Sequence, residues 1–320
     1  MHPKSNGAFS IVFVHLGEIP KYLRKNLEYI AKQFVIQSRF IVTDNEELRT
    51  FSNLGYQIVK LQDLEIDWPP DFQISGRERL FRNNFWFSTK ARLFIIPQFM
   101  AVFKVEKVLH IESDVWIHPD FPLRELETLN AALAFPRVDE GRGIASVLLV
   151  NGTEGRKLLL EACYNWPHLT DMQILDRLLR KNKNVYELPS TNNMVPNILG
   201  NWIFDGAKLG MYLFGADPRS VYGVIRRFNL SPMGSLTSGQ EIMVEGQVIY
   251  LKTHESHRRV ANLHLHSKDV RMYSGNWRSV LKRQIRKRKL KLNYGFDFSA
   301  FLFFCRERMI HLLRKIQRLS

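Results

Sequence analysis

Residues 105–122 read VEKVLHIESDVWIHPDFP, a short apolar segment followed at once by two acids. Residues 108–111 are apolar except for His110, which is typical of a buried strand. Glu112 and Asp114 come directly after it, separated by one serine. Open α/β sheets bind ligands at the carboxyl ends of central strands, and paired oxygen ligands suit a hard divalent cation that also binds a diphosphate. A solvated acidic turn is the alternative interpretation.

The sequence before this stretch predicts alternating strands and helices. Residues 9–16 form a near-continuous apolar run, as in a buried parallel strand, and helical spacing follows over about 21–33. Further strands are predicted at 38–43 and 57–61, with a short helix at 46–53 between them. This alternation is the beginning of a doubly wound sheet that would bind a nucleotide at its strand ends. The sequence has no glycine-rich phosphate loop, so a metal on the two acids would replace one.

Charged side chains also occur in the predicted helices. Lys90 and Arg92 lie in the helix predicted before the acidic strand and could face a diphosphate or ribose; a solvated helix surface is the alternative. Thr170 is the predicted N-cap of a later helix. Asp171 could complement the dipole of that helix, or it could enter the site as a sugar contact or general base. We favour the second role, because this turn is expected beside the ligand edge of the sheet.

A later segment combines small residues with an acid. Gly206 and Gly210 predict close approach of the backbone to a ligand or to a neighbouring helix, and Asp205 is the polar residue beside them. Residues 240–252 then predict two strands joined at Gly246.

Residues 260–268 contain a second group of candidate ligands. His264, His266 and Lys268 occupy alternate positions, so a continuous strand would place all three on one face. Imidazole is a metal ligand, and an ammonium group binds phosphate. A single histidine here would more often be structural, whereas two histidines and a lysine together favour a site.

The order of these features resembles that of the metal-dependent, nucleotide-sugar glycosyltransferases with the GT-A fold. Residues 112–114 resemble the Asp-x-Asp motif of that family, with glutamate where the family usually has its first aspartate. Residues 262–268 resemble the late strand or loop by which many members add a histidine to the metal and a lysine to the diphosphate. The segments 85–92 and 204–206 also resemble bacterial members. The resemblance covers roughly residues 8–275.

The resemblance implies an α/β fold with a Rossmann-like, mixed and mainly parallel sheet flanked by helices. It implies transfer of a sugar from a nucleotide sugar, expected to be a UDP-sugar, to a hydroxyl of a glycan or lipid-linked acceptor. The implied cofactor is Mn²⁺ or Mg²⁺, which would neutralise charge on the leaving group. Nothing in the sequence identifies the sugar, the linkage or the stereochemical outcome.

The resemblance also implies roles for single residues. Asp114 and His266 would bind the metal, with Glu112 and His264 as further candidates. Asp171 would orient the acceptor or, in an inverting enzyme, take its proton. The expected contacts of the nucleotide sugar begin at the first strand end and include the base, the ribose and the diphosphate: Val14, His15, Thr43, Asp44, Lys90, Arg92, Glu112, Ser113, Asp205 and Lys268.

The charge of the chain is concentrated at its end. Of the net charge of +15, +11 lies in residues 278–320, which contain 13 lysines and arginines and two acids. We therefore expect a catalytic domain at 1–277, with a nucleotide-binding half at about 8–122 and an acceptor half at about 123–277. The remaining 278–320 would form a basic helical extension.

The extension predicts a second kind of contact. Residues 298–319 have helical spacing of apolar side chains, and basic plus apolar residues suit the surface of an anionic membrane. Packing on the domain or on another subunit is the alternative. The polar N-terminus, the lack of a long apolar run and the two isolated cysteines predict a cytoplasmic protein, or one peripheral on the inner face of the membrane.

Two other functional classes remain open. The isoelectric point near 9.9 suggests nucleic-acid binding, but the charge is confined to the extension and the motifs of the common nucleic-acid-binding modules are absent from the sequence. We therefore expect no nucleic-acid partner. A sugar-phosphate nucleotidyltransferase would share the sheet and the metal, but the glycine-rich basic loop expected after its first strand is missing here.

Overall fold

The chain is built around a mixed β-sheet with α-helices beside it. The computed structural model describes residues 9–34, 38–69, 72, 85–191, 199–215, 236, 239–254 and 256–294. The strands are β1 Ser10–His15, β2 Arg39–Thr43, β3 Tyr56–Lys60, β4 Lys107–Ile111, β5 Val115–Ile117, β6 Leu133–Asp139, β7 Arg142–Gly143, β8 Val147–Asn151, β9 Val185–Leu188, β10 Trp202–Ile203, β11 Glu241–Glu245, β12 Val248–Lys252, β13 His257–Val260 and β14 Asn262–His264. The α-helices are α1 Lys21–Gln33, α2 Phe85–Val102, α3 Leu123–Thr128, α4 Gly152–Asn165, α5 Asp171–Lys181, α6 Lys208–Phe214 and α7 Trp277–Tyr294.

The central sheet has the strand order β3-β2-β1-β4-β8-β6-β7, and β9 pairs with β6. The neighbours from β3 to β4 are parallel, whereas β8 is antiparallel to both β4 and β6. The predicted mixed, largely parallel sheet flanked by helices is therefore confirmed. Since β1 and β4 are parallel neighbours in the interior of the sheet, their carboxyl ends lie at one edge, where such sheets bind ligands.

Both faces of this sheet are covered, which explains the continuous apolar run of β1. Ile11 and Phe13 belong to the core cluster that contains Leu27 of α1. Val12, between them, belongs to the cluster that contains Phe94 of α2. Successive side chains of a strand point to opposite faces, so a strand that is covered by helices on both sides is mainly apolar at successive positions.

Helix α1 fixes the backbone that follows β4. The amide of the buried Asn26 donates to the carbonyl oxygens of Ser113 at 3.0 Å and of Val115 at 2.9 Å. Tyr29 donates its hydroxyl to the carbonyl of Ile117 at 2.8 Å. The backbone N–H of Leu265 donates to the carbonyl of Asp114 at 2.9 Å. The acidic turn is thus held from both sides, because its carbonyl groups are bonded to two other elements.

The later part of the chain differs from the prediction at one place. The ladder between β14 and β5 ends where His264 pairs with Val115. The chain then turns: the N–H of Lys268 donates to the carbonyl of Leu265 at 2.7 Å, and Lys268 has a φ of +59°. The predicted continuous strand over 260–268, with three side chains on one face, was wrong. The physical reason is that β5 is only three residues long, so among the described residues β14 has no partner strand beyond Val115.

Several local predictions are confirmed. Thr170 caps α5, and its side chain and that of Gln173 form a reciprocal capping box. β11 and β12 form the expected strand pair, with Gly246 at a φ of +56° between them. The short helix predicted at 46–53 is present as a 3-10 helix over Glu46–Leu54.

The start of the basic extension is helical and packed. Trp277 and Leu281 of α7 are buried, and the helix contacts α6, β11 and the 3-10 helix Val270–Tyr273. The helix predicted at 298–319 lies outside the described residues, as does the segment 216–235. Within the described part of the chain, no helix combines the length and the apolar character that a membrane span needs.

Helix α6 lies directly on the backbone of β14, so the close approach predicted at Gly210 is present, but its partner is a strand and not a ligand or a helix. A Cβ atom on Gly210 would overlap the carbonyl oxygen of His264 and lie 2.7 Å from its carbonyl carbon. Neither atom can move without shifting β14. Only glycine therefore permits this separation between the helix and the strand.

We predict that Gly210→Ala lowers the free energy of unfolding by about 1–3 kcal/mol, because the added methyl group forces the helix away from β14. Gly275→Ala is the matched control, since a Cβ there meets no atom within 4 Å and should change stability by less than about 0.5 kcal/mol. Urea unfolding followed by circular dichroism measures both. Equal stability of the two variants would contradict the close packing.

Candidate metal and ligand site

Three side chains converge after β4. Glu112, Asp114 and His264 are buried, and one ligand atom of each lies within 4.8 Å of the others. The Nε2 atom of His264 is 3.3 Å from Oδ2 of Asp114 and 3.4 Å from Oε2 of Glu112. The two acids follow the central strand β4, and pairing of β14 with β5 brings the histidine to them. These distances leave room for one small cation among the three groups.

The hydrogen bonding of His264 prepares its ring to bind a metal. Its Nδ1 atom lies 2.6 Å from the carbonyl oxygen of Gly206, which can only accept. The neutral ring therefore carries its proton on Nδ1 and presents the lone pair of Nε2 to the two carboxylates. Oε2 of Glu112 has no hydrogen-bond partner among the described residues. Two carboxylate oxygens and an imidazole nitrogen fit Mn²⁺, and Mg²⁺ less well because of its preference for oxygen.

Arg92 connects one of these acids to Asp171. Its Nη1 atom contacts Oε1 of Glu112, and its Nη2 atom is 2.7 Å from Oδ2 of Asp171. Burial would raise the pKa of Glu112, but the neighbouring positive charges, above all that of Arg92, lower that pKa to about 2. Burial lowers the pKa of Arg92 while the two carboxylates raise it, and the net shift is upward. The three groups are therefore linked by two buried ion pairs.

Lys268 supplies a second cation. Its Nζ atom forms an ion pair with Oδ2 of Asp114 and lies 5.2 Å from the centre of the Tyr22 ring. The turn after β14 brings it there, so the lysine reaches the acidic group although the predicted strand is absent. Contact of Lys268 with a diphosphate stays a prediction.

Asp205 supports the site from behind. Its carboxylate accepts hydrogen bonds from the backbone N–H groups of Leu209 at 2.9 Å, Gly210 at 2.7 Å and His264 at 3.0 Å. Burial raises the pKa of Asp205, and the N–H groups act in the opposite direction. Both oxygens are thus engaged in fixing α6 to β14. The predicted contact of Asp205 with a nucleotide sugar stays a prediction.

Two other predicted residues lie apart from the three ligands. The ring of His266 stacks on that of His264, with centres 4.0 Å apart, and it is not one of the three converging groups. Lys90 is fully buried, lies 4.2 Å from the centre of the Phe72 ring and donates to the carbonyl of Pro167. Contacts of His266 with a metal and of Lys90 with a diphosphate stay predictions.

The predicted base and ribose contacts lie at the ends of β1 and β2. Oδ1 of Asp44 accepts from the N–H of Gly17 at 2.8 Å, and Oγ1 of Thr43 accepts from the N–H of Asn45 at 3.0 Å. His15 contacts the carbonyl of Glu18 at 2.8 Å through Nε2. Val14 packs half-buried at the edge of the core cluster around α2.

A cavity opens beside two of these residues. Its volume is about 330 Å³, and it lies at the carboxyl ends of β2 and β3. Polar groups of Thr43 and Asp44, the cation of Lys60 and the ring of Trp68 line it. Because β1 to β4 are parallel, the cavity and the acidic group lie at the same edge of the sheet.

Sequence reasoning missed three functional supports. Asn26 holds the acidic turn, and its signal was a polar residue between the apolar Leu23 and Leu27 on the buried face of α1. The carbonyl of Gly206 orients His264, and a backbone group leaves no sequence signal. His110 lies behind the site, where its Nδ1 contacts the carbonyl of Val12 at 3.0 Å. Burial and Arg92 lower the pKa of His110 to about 3, so it is neutral.

Comparisons with known proteins give resemblances of fold only in outline. Neither a protein-family model nor a curated protein matches the chain. A galactosyltransferase, LgtC, crystallised with donor and acceptor sugar analogues, is 18% identical over 57% of this chain and 74% of its own, with a TM-score of 0.43. The glycosyltransferase GlyE of Streptococcus pneumoniae is 16% identical over 87% of this chain and 63% of its own, with a TM-score of 0.45.

A cytidylyltransferase from Leptospira borgpetersenii is also similar, with 7% identity over 57% of this chain and 76% of its own and a TM-score of 0.33. The similar structures thus include enzymes of two chemical classes. Because every one of these TM-scores is below 0.5, the likenesses assign no function to this chain. A functional assignment therefore depends on the geometry of the site.

We predict that His264→Ala weakens Mn²⁺ binding by about 10- to 100-fold, because the variant loses an imidazole whose lone pair faces both acids. His266→Ala is the matched control and should change Mn²⁺ affinity by less than about threefold, since its ring is not one of the three converging groups. Titration of Mn²⁺ followed by electron paramagnetic resonance measures free metal directly. A larger loss of Mn²⁺ affinity in His266→Ala than in His264→Ala would show that His266, and not His264, binds the metal.

Proposed function

We propose that this protein is a metal-dependent glycosyltransferase that moves a sugar from a nucleotide sugar, expected to be a UDP-sugar, to a hydroxyl acceptor. The observation that carries the proposal is the group of Glu112, Asp114 and His264 after the central strand, with Lys268 paired to Asp114. The group has the donor set for one divalent cation, and it lies at the edge where a doubly wound sheet binds a nucleotide.

The three converging side chains would hold Mn²⁺ or Mg²⁺. When bound, the cation would neutralise negative charge on the diphosphate leaving group. Lys268 would bind a phosphate oxygen beside Asp114 and stabilise the same charge. Thr43 and Asp44 would contact the nucleoside in the cavity of about 330 Å³, which is within the usual range for small-molecule sites.

Asp171 would contact a sugar hydroxyl. Its Oδ2 atom is bonded to Arg92, but Oδ1 is buried without a hydrogen-bond partner among the residues that the structure describes. A buried acceptor without a donor costs free energy, and a hydroxyl group of the donor sugar or of the acceptor would remove that cost. In an inverting reaction the same oxygen would take the proton of the attacking hydroxyl.

We predict that UDP binds the wild type in the presence of Mn²⁺, and that EDTA or Asp114→Ala weakens this binding at least about 100-fold, because the diphosphate then lacks its counter-ion. Asp120→Ala is the matched control, since its exposed carboxylate pairs only with Arg259 among the described residues. Isothermal titration calorimetry gives the affinities. A panel of UDP-sugars with product analysis then identifies the donor.

Other outcomes of this titration would contradict parts of the proposal. Tight binding of GDP, CDP or dTDP but not of UDP would change the donor. Release of pyrophosphate from a nucleoside triphosphate and a sugar phosphate would assign a nucleotidyltransferase instead. Failure of all nucleoside diphosphates to bind would overturn the glycosyltransferase assignment.

We also propose that α7 brings the enzyme to an anionic membrane carrying a lipid-linked acceptor. Within residues 277–288, five basic side chains of α7 are exposed, and the sequence of the helix contains no acid. They are Arg278, Lys282, Arg283, Arg286 and Lys287. Each basic residue near an anionic surface contributes about 1 kcal/mol of binding free energy, so the face suits such a surface.

We predict that the triple variant Lys282→Glu, Arg283→Glu and Arg286→Glu weakens binding to vesicles of phosphatidylglycerol and phosphatidylcholine by about 100-fold or more. Cosedimentation at low and high salt measures the partition. Vesicles of phosphatidylcholine alone are the control and should bind neither protein. Equal binding of the variant and the wild type to the anionic vesicles would exclude α7 as the contact.

A further inference from the structure

One guanidinium group links the two parts of the proposed site. Arg92 lies on α2, Glu112 follows β4, and Asp171 begins α5. The side chains of all three are at most 10% exposed. The terminal nitrogens of Arg92 are divided between the carboxylates, with Nη1 on Oε1 of Glu112 and Nη2 on Oδ2 of Asp171. A single planar fork therefore fixes the relative positions of side chains from three elements.

The division leaves each carboxylate with one oxygen available. Oε2 of Glu112 and Oδ1 of Asp171 are both buried, and neither has a hydrogen-bond partner among the described residues. Oε2 of Glu112 lies 3.4 Å from Nε2 of His264, within the metal-ligand group. Oδ1 of Asp171 is the acceptor that a substrate hydroxyl would satisfy. Arg92 thus binds one oxygen of each acid and leaves the other oxygen available to a ligand.

The hydrogen bonds that Arg92 makes within the described residues all go to the two acids. Both terminal nitrogens are bonded to the acids, and Nε is buried without a partner in the described part of the chain. Direct contact of Arg92 with the nucleotide sugar stays a prediction. An action through its two carboxylate partners accounts for all of its observed contacts.

We propose that Arg92 is a positioning residue, which holds Glu112 and Asp171 so that one oxygen faces the cation and one faces a substrate hydroxyl. This inference rests on the proposed function for the identity of both ligands. A positioning role and a role in charge alone predict opposite changes in Mn²⁺ affinity when Arg92 is removed. A cation near a metal site lowers metal affinity by electrostatic repulsion, so a role in charge alone predicts tighter Mn²⁺ binding when Arg92 is removed. Positioning predicts weaker binding.

The chain provides a matched control for this test. Arg137 also divides its guanidinium between two acids, with Nη2 3.1 Å from Asp176 and Nη1 3.3 Å from Glu187. Neither acid belongs to the metal-ligand group. Lysine at either position keeps the charge but cannot reproduce the fork. Arg92→Lys and Arg137→Lys therefore remove the same kind of bridge, inside and outside the site.

The experiment is a Mn²⁺ titration of the full chain without nucleotide, together with thermal unfolding of the same samples. We expect both lysine variants to lower the unfolding temperature, and only Arg92→Lys to weaken Mn²⁺ binding, by about tenfold. Arg92→Met should weaken it further. In a Glu112→Gln background, Arg92→Lys should have little additional effect on Mn²⁺ affinity, because the arginine acts on the metal through Glu112.

Three results would overturn the inference. Unchanged or tighter Mn²⁺ binding by Arg92→Lys would show that the arginine does not position a ligand. An equal loss in Arg137→Lys would assign the effect to general destabilisation. An undiminished effect of Arg92→Lys in the Glu112→Gln background would exclude action through Glu112. If the wild type binds no Mn²⁺, the proposed metal site falls together with this inference, whereas each of the other results leaves the proposed function standing.

Discussion

Placing acidic side chains side by side in a buried position requires cations beside them, and this requirement governs the architecture around β4. Glu112, Asp114 and Asp171 are each less than 10% exposed as residues. Arg92 pairs with Glu112 and Asp171, and Lys268 pairs with Asp114, so each of the buried acids has a cationic partner. Because Arg92 lies on α2 and Lys268 on the turn after β14, both elements must dock before the acids have these partners. The electrostatics and the packing of the site are therefore one constraint.

The backbone around the site is held by hydrogen bonds to two buried side chains. Asn26 satisfies two carbonyl groups of the acidic turn, and Asp205 satisfies three N–H groups of α6 and β14. Gly210 permits the close contact between α6 and β14 that places His264. Support of this kind holds the binding side chains in a fixed arrangement before a ligand binds. Such preorganisation lowers the entropic cost of binding.

The sequence predicted those features that depend on local pattern. The apolar run of β1, the strand before Glu112 and the cap at Thr170 each have a signal within a few residues, and all three are present. The strand over 260–268 was predicted wrongly, because its length depended on β5, a partner 150 residues away. The bridge from Arg92 to Asp171 crosses 79 residues and had no local signal. Long-range partners, not propensities, limited the prediction of the site.

The carboxylates of Glu112 and Asp114 are paired in different ways. Oε1 of Glu112 contacts Arg92, and Oε2 of the same carboxylate lies 3.4 Å from Nε2 of His264. Asp114, two residues later, has Lys268 and His264 adjacent to a single oxygen. Glu112 therefore links the arginine on α2 to the histidine on β14, whereas Asp114 joins that histidine to the lysine on the turn that follows. The imidazole of His264 is the group that the two acids share, so the arrangement of the site depends on the pairing of β14 with β5.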